Sequence, residues 1–264
     1  MKTYIIHFDK LKDRKKQLKQ RLKKCKSLDV KWFIQRGYYP KELINKYYEY
    51  DKRAWKEKVR IANRSIIPRV LTKSEIHLSI NHLKVIEKTS KGKELCALIL
   101  EDDSIFVKDF EEKLKEVFKK LKGKPWDIIY LDYLSKDYPK VNKLVIVEER
   151  GKYDCYGAAA YIIKKEACKK ILKADRKITL PFDEELKYRI NKLGLKPLWV
   201  VPPLVKQESV YGNAGDSGQD AREKQGIKKY IFWRKKGYSM LPQGIEKFIY
   251  KLEDKIKRII LGIK

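Results

Sequence analysis

Short apolar runs alternate along the chain with stretches whose apolar residues recur every three or four positions, the pattern of alternating strands and helices. Thr3 to Phe8 reads as a buried first strand, and a helix opening at Asp9 carries Leu11, Leu18, Leu22 and Cys25 along one face. Val30 to Ile34 reads as a second strand, which begins an α/β sheet. Tyr38 to Pro68 is irregular and rich in tyrosine, lysine and arginine, so a loop-and-helix insertion is expected there. Thr72 followed by Glu75 is a capping box, and Ile76, Ile80, Leu83 and Ile86 mark the inward face of the helix it opens. Cys96 to Leu100 is continuously apolar, as a strand covered on both faces must be. Asp109 with Glu112 suggests a second box, ahead of Phe110, Leu114, Val117 and Leu121, with Gly123 at the helix end. Further strands are expected at Trp126 to Leu131, Ala158 to Ile163 and Leu198 to Val201, with a helix between Asp183 and Gly194.

After Gly226 the pattern changes. Ile245, Phe248, Leu252, Ile256, Ile259 and Ile260 share one helical face, while Lys247, Lys251, Lys255 and Arg258 fill the rest. That is a basic amphipathic helix, which suits an anionic membrane surface or a packed helix on the domain. The expected organisation is a domain over 1–226 and a basic tail over 227–264.

Charge sharpens the picture. Lysine and arginine total 64 against 35 acidic residues, a net charge of +29, so an anionic partner is expected. The excess is lysine spread along the whole chain rather than one dense patch, which argues against nucleic acid. The four cysteines form no CxxC pair, and with three histidines they show no zinc-ligand spacing. The N-terminal apolar run ends at His7, too short for a signal segment, so a cytoplasmic protein is expected, or one peripheral on the cytosolic face of a membrane.

The chemistry should sit at Glu101-Asp102-Asp103, where a buried strand ends. Ligands of open α/β sheets bind at the carboxyl ends of strands. Alternation along an extended chain would put Glu101 and Asp103 on one side, as two hard oxygen ligands for Mn²⁺ or Mg²⁺ beside phosphate. An acidic strand end that caps the next helix is the plainer alternative.

An ordered series of segments resembles glycosyltransferase family 25, which includes lipopolysaccharide sugar transferases and collagen galactosyltransferases. It comprises Tyr4 to Asp9 with Arg14, Leu71 to Glu87, Leu98 to Asp103, Trp126 to Leu131, Gly157 to Ile163, Leu180 to Asp183, Pro203 to Gln207, and Asp216-Ser217. Departures are His7 in place of the family's usual Asn, Ser74 where Gly usually precedes Glu75, Leu78 near the customary Gly-Cys, and Asn81 in place of Ser before His82.

The resemblance implies a GT-A-like, Rossmann-type α/β/α sandwich and an inverting transfer of a sugar, galactose from UDP-galactose first among donors, to a lipopolysaccharide-type or other glycan acceptor. It implies Glu101 and Asp103 as metal ligands and Arg14, Glu75, His82, Asp102, Gln207 and Asp216 around the donor. Asp183 is the implied general base, with Glu184 as fallback. Each has a plainer reading: Asp183 as a helix cap, Glu75 as a capping-box partner, His82 as an interior histidine, and Asp216 as part of a polar loop. A nucleotidyltransferase using the same acidic site, a basic nucleic-acid-binding protein and a non-catalytic relative are the rival readings.

Overall fold

The computed structural model describes residues 1–64, 66–132, 141, 143–148, 157–175 and 177–208. Cys155, the glycine-rich loop with Asp216, and the tail after 226 lie outside the described residues.

Seven strands form one sheet: β1 (Lys2–Phe8), β2 (Asp29–Gln35), β3 (Cys96–Glu101), β5 (Ile128–Tyr130), β6 (Val145–Glu148), β7 (Ala160–Lys164) and β8 (Pro197–Val201), in the order β2-β1-β3-β7-β5-β8-β6. β1 runs parallel to β2 and β3, and β5 runs parallel to β8. β7 lies antiparallel between β3 and β5, and β6 is an antiparallel edge on β8. The carboxyl ends of β1, β3 and β5 therefore share one edge of the sheet with the amino end of β7. A separate antiparallel pair joins β4 (Ser104–Phe106) to β9 (Val205–Gln207).

Side-chain alternation divides the core into two layers. Leu98, Leu100, Ile129, Ile162 and Val200 face α1 (Lys12–Leu22) and α5 (Phe110–Lys120), through Leu18, Leu114 and Val117. Ile99, Tyr161, Ile163 and Trp199 face the other way. That side is covered by α3 (Lys52–Ile61), α4 (Lys73–Lys91), α6 (Lys165–Ala174) and α7 (Phe182–Leu193), with α2 (Lys41–Tyr47) packed on α4. The arrangement is the expected α/β/α sandwich. α2 and α3 are the helices within the irregular segment from Tyr38 to Pro68.

Local expectations fare unevenly. Thr72 and Glu75 form the full capping box at the start of α4. Gly194 closes α7 at φ 60°, a left-handed position suited to glycine. Asp109 is the N-cap of α5 but makes no capping hydrogen bond, because its φ of 56° is left-handed, whereas a capping side chain needs extended backbone. The strand alternation expected across Glu101 and Asp103 also fails. β3 ends at Glu101, the chain turns through Asp102 and Asp103, and Ser104 Oγ closes the turn on the Glu101 carbonyl at 2.7 Å.

One buried polar hub fixes where α7 begins. Glu185, fully buried, accepts from Lys58 Nζ at 2.9 Å, Arg189 Nη2 at 3.0 Å, and the backbone N–H groups of Thr179 and Leu180 at 3.2 and 3.3 Å. Arg189 also donates to the carbonyls of Ile171 and Asp175. The hub ties α3, α6 and α7 to the segment that leads into Asp183. Breaking a buried ion cluster from one side leaves uncompensated charge. Arg189→Leu is therefore expected to lower the free energy of unfolding by about 3 kcal/mol. Urea titration checks this, and a loss below about 1 kcal/mol would show that the hub does not hold these elements.

Candidate active site

The end of β3, the turn after it, the end of β5 and the start of α7 bring several carboxyl groups into one region. Glu101 ends β3 half-buried. Burial holds its carboxyl well above the usual range, and the negative charges of Asp103, Asp132, Asp102 and Asp183 push it further up. Asp103 is buried in the turn. Thus the turn, rather than strand alternation, brings Asp103 close enough to Glu101 to raise its affinity for a proton.

Asp102 is braced on both oxygens. His7 Nδ1, near the end of β1, donates to Oδ2 at 2.7 Å, and Arg14 Nη1 reaches Oδ1 at 3.4 Å. The same Nη1 lies 3.8 Å from Asp103 Oδ2. Arg14 Nη2 is buried and has no hydrogen-bond partner among the described residues. A guanidinium held in place by one carboxylate while a second N–H arm stays unpaired is arranged to receive another anion.

His82, fully buried on α4, faces Glu101. Its Nδ1 lies 3.1 Å from the Tyr161 hydroxyl and its Nε2 lies 3.3 Å from Glu101 Oε1. Burial pushes its pKa down to about 3, so the ring is neutral. One tautomer satisfies both contacts: Tyr161 donates to Nδ1, and Nε2–H donates to Glu101. The ring also stacks on Phe182, with centroids 4.0 Å apart and planes at 9°. Because Phe182 immediately precedes Asp183, one imidazole links the acidic strand end to the start of α7.

Asp183 is the second residue of α7. Pro181 is the N-cap and makes no side-chain capping bond, so the cap reading of Asp183 is not what the structure shows. The Asp183 carboxyl is half-buried and its pKa is raised to about 6, by burial first and then by Glu184 and Glu75. Glu184 points elsewhere: both its oxygens accept from Arg64 Nε at 2.8 Å. That pairing occupies both oxygens of the Glu184 carboxylate, the fallback candidate for the base. Glu75 takes both of its expected contacts within the capping box and also receives Arg69 on both oxygens, at 2.6 and 2.8 Å. Gln207 ends β9 opposite Ser104, directly after the acid turn, and the Glu208 N–H donates to the Asp103 carbonyl at 2.9 Å.

Asp132 escaped sequence reasoning. It follows the apolar run of β5 as Glu101 follows that of β3, and this repeated signature could have flagged it. Its Oδ1 accepts the Ala160 N–H at 2.8 Å, yet burial outweighs the bond and raises its pKa to about 7. His77 was also missed. Gln35 Nε2 and the Tyr39 N–H both approach its Nδ1, at 2.7 and 3.3 Å, so the proton sits on Nε2. That Nε2 is buried without a partner among the described residues, beside the exposed ring of Tyr38. No sequence pattern reveals Arg64, whose partner Glu184 is 120 positions away.

The carboxyl oxygens of Glu101 and Asp103 are hard donors of the kind a divalent cation takes. Among the described residues no group of three or more His, Cys, Asp or Glu side chains forms a ready cage. A cation shared with diphosphate would need only one or two protein carboxylates, and Glu101 and Asp103 are the two that would hold it.

The family model of glycosyltransferase family 25 (LPS biosynthesis protein) matches residues 1–186. Procollagen galactosyltransferase 1 of Danio rerio is 26% identical over 134 residues, covering 47% of this chain and 21% of that protein. The matched region thus spans about a fifth of that relative's length. A crystal structure of a putative glucose-1-phosphate thymidylyltransferase from Bacillus anthracis in complex with a sucrose overlays 83% of this chain and 98% of that one, at 9% identity and a TM-score of 0.39. At that score the likeness carries no argument.

Asp132 gives a stability test. Its folded pKa of about 7 lies above the ordinary value of 3.8, so between these limits the folded chain holds a proton that the unfolded chain has released. Stability therefore falls as pH rises through that window. Asp132→Asn, which keeps the acceptor for Ala160, is expected to raise the melting temperature by several degrees at pH 8 and to change it little at pH 4. An equal change at both pH values would contradict the assignment.

Proposed function

The chain belongs to glycosyltransferase family 25, and on that premise we propose a metal-dependent, inverting transfer of a sugar from a nucleoside diphosphate donor to a glycan hydroxyl. UDP-galactose is the leading donor, and the acceptor is a lipopolysaccharide-type or other glycan. The observation that carries this reading is the buried Nη2 of Arg14, unpaired among the described residues, beside the acid turn: a donor arm in want of an anion at the carboxyl edge of the sheet.

Glu101 and Asp103 would hold Mn²⁺ or Mg²⁺, which when bound offsets the negative charge that grows on the leaving diphosphate. Arg14 donates its free N–H to a diphosphate oxygen and strengthens that contact as the glycosidic bond breaks. Asp102, held by His7, keeps Arg14 in position. His77 Nε2–H and the Tyr38 ring lie near the ends of β1 and β2, where they suit the carbonyl and face of a nucleobase.

Asp183 acts from the start of α7 as general base. It takes the proton of the acceptor hydroxyl while the oxygen forms a bond to the anomeric carbon. The bond from that carbon to the diphosphate oxygen breaks on the opposite face, and its electron pair leaves with the nucleoside diphosphate. The transition state is oxocarbenium-like, as in glycoside hydrolysis. Phe182, stacked on His82, holds the base at a set distance from the donor side.

Asp103→Ala is expected to abolish nucleoside diphosphate release from a nucleotide-sugar panel assayed with Mn²⁺, while circular dichroism stays unchanged. Normal turnover by that variant would refute the metal assignment. A base must be deprotonated to work, so kcat should rise tenfold per pH unit below about pH 6 and level off above it. Asp183→Asn should cost at least about a hundredfold in kcat and remove that pH limb. Retention of the limb would assign it to another group.

A further inference from the structure

We propose that the outward face of α1 is a docking surface for an anionic lipid bilayer. Lys12, Lys16, Lys19 and Lys23 are spaced four, three and four residues apart, so they fall on one side of α1 and its C-cap. All four are exposed, and among the described residues none has an ion-pair partner. Some exposed lysines on other helices do pair: Lys91 with Glu87 at 2.5 Å, Lys120 with Glu116 at 3.3 Å and Lys169 with Glu166 at 2.7 Å. Like charges at these spacings repel and destabilise an isolated helix. The stripe spans about 16 Å with no acidic residue in it.

The opposite side of the same helix serves the candidate active site. Arg14 reaches Asp102 and Asp103, and Arg21 donates to the Ser104 carbonyl at 3.1 Å and pairs with Glu208 at 3.0 Å. A surface touching the stripe would therefore lie about one helix diameter, roughly 10 Å, from the acid turn. An acceptor glycan carried on a lipid would be within reach there.

The chemistry favours a bilayer over nucleic acid. The stripe is convex and consists of lysine alone, whereas nucleic-acid sites use grooves, arginine forks and exposed aromatic platforms. Lysine is a compact point charge matched to a diffuse surface potential. The proposal concerns α1 and not the tail, and it does not depend on the donor-site reading.

The test is co-sedimentation of the full chain with vesicles of phosphatidylcholine alone or with phosphatidylglycerol, at low and high salt. Two charge-matched quadruple variants are compared. One is Lys12→Gln/Lys16→Gln/Lys19→Gln/Lys23→Gln. The other removes Lys115, Lys119, Lys170 and Lys173, exposed on α5 and α6, in the same way. Wild type should bind only the anionic vesicles and release at high salt. The α1 variant should bind at least about tenfold more weakly than the control, with a melting temperature no lower than wild type. Equal losses in the two variants would overturn the proposal, since the effect would then be general charge. So would absence of wild-type binding to anionic vesicles, or stripe-dependent binding to duplex DNA without binding to vesicles.

Discussion

Carboxyl groups buried close together repel one another, and a fold keeps them only where donors or a cation can compensate. Glu101, Asp103, Asp132 and Asp183 form such a set, on a chain whose net charge is +29. The raised affinities of Glu101, Asp132 and Asp183 for protons record the cost of that crowding. The surrounding structure is arranged around this tension. Asp102 is paired with His7 and Arg14, Glu184 with Arg64 and Glu75 with Arg69, while among the described residues Glu101 receives only the neutral imidazole of His82. The paired carboxylates act as structural braces, and on the proposed function Glu101 and Asp103 are where a ligand's charge belongs.

The sheet makes the arrangement possible. β7 enters antiparallel between β3 and β5, so its first residues meet the carboxyl ends of both neighbours. The Glu101 N–H donates to the Ala159 carbonyl at 2.8 Å, and the Ala160 N–H supports Asp132. Small side chains at Ala158, Ala159 and Ala160 allow this close approach. From the other side, the Glu185 hub sets α7, and the His82–Phe182 stack sets its spacing from β3. On the proposed function, donor chemistry and base chemistry thereby come from different elements, held together through one buried ring.

Much of this was legible in the residues. Strands buried on both faces announce themselves as continuous apolar runs, so β3 and the acidic residues after it stood out, as did the capping box at Thr72 and Glu75. Segments whose partners are distant in sequence were not legible. β6 and β9 are short, and their pairing depends on β8 and β4. Glu184 looked available as a base because Arg64 is brought to it only by the packing of α3 against α7. The plainer alternative for Asp183, a helix cap, does not hold, because Pro181 takes that place two positions earlier. Reading Glu101 and Asp103 as one face of a strand failed because backbone hydrogen bonding ends β3 at Glu101, and the turn that follows achieves the proximity by another route.

Locating the cation and the diphosphate tests the central claim most directly. Crystals grown with UDP and Mn²⁺ would show the metal by its anomalous scattering. The expected peak lies between the carboxylates of Glu101 and Asp103, with a phosphate oxygen of UDP as a further ligand and another within hydrogen-bond distance of Arg14 Nη2. A manganese peak and UDP density away from the carboxyl ends of β1 and β3, with Arg14 Nη2 still unpaired, would contradict it.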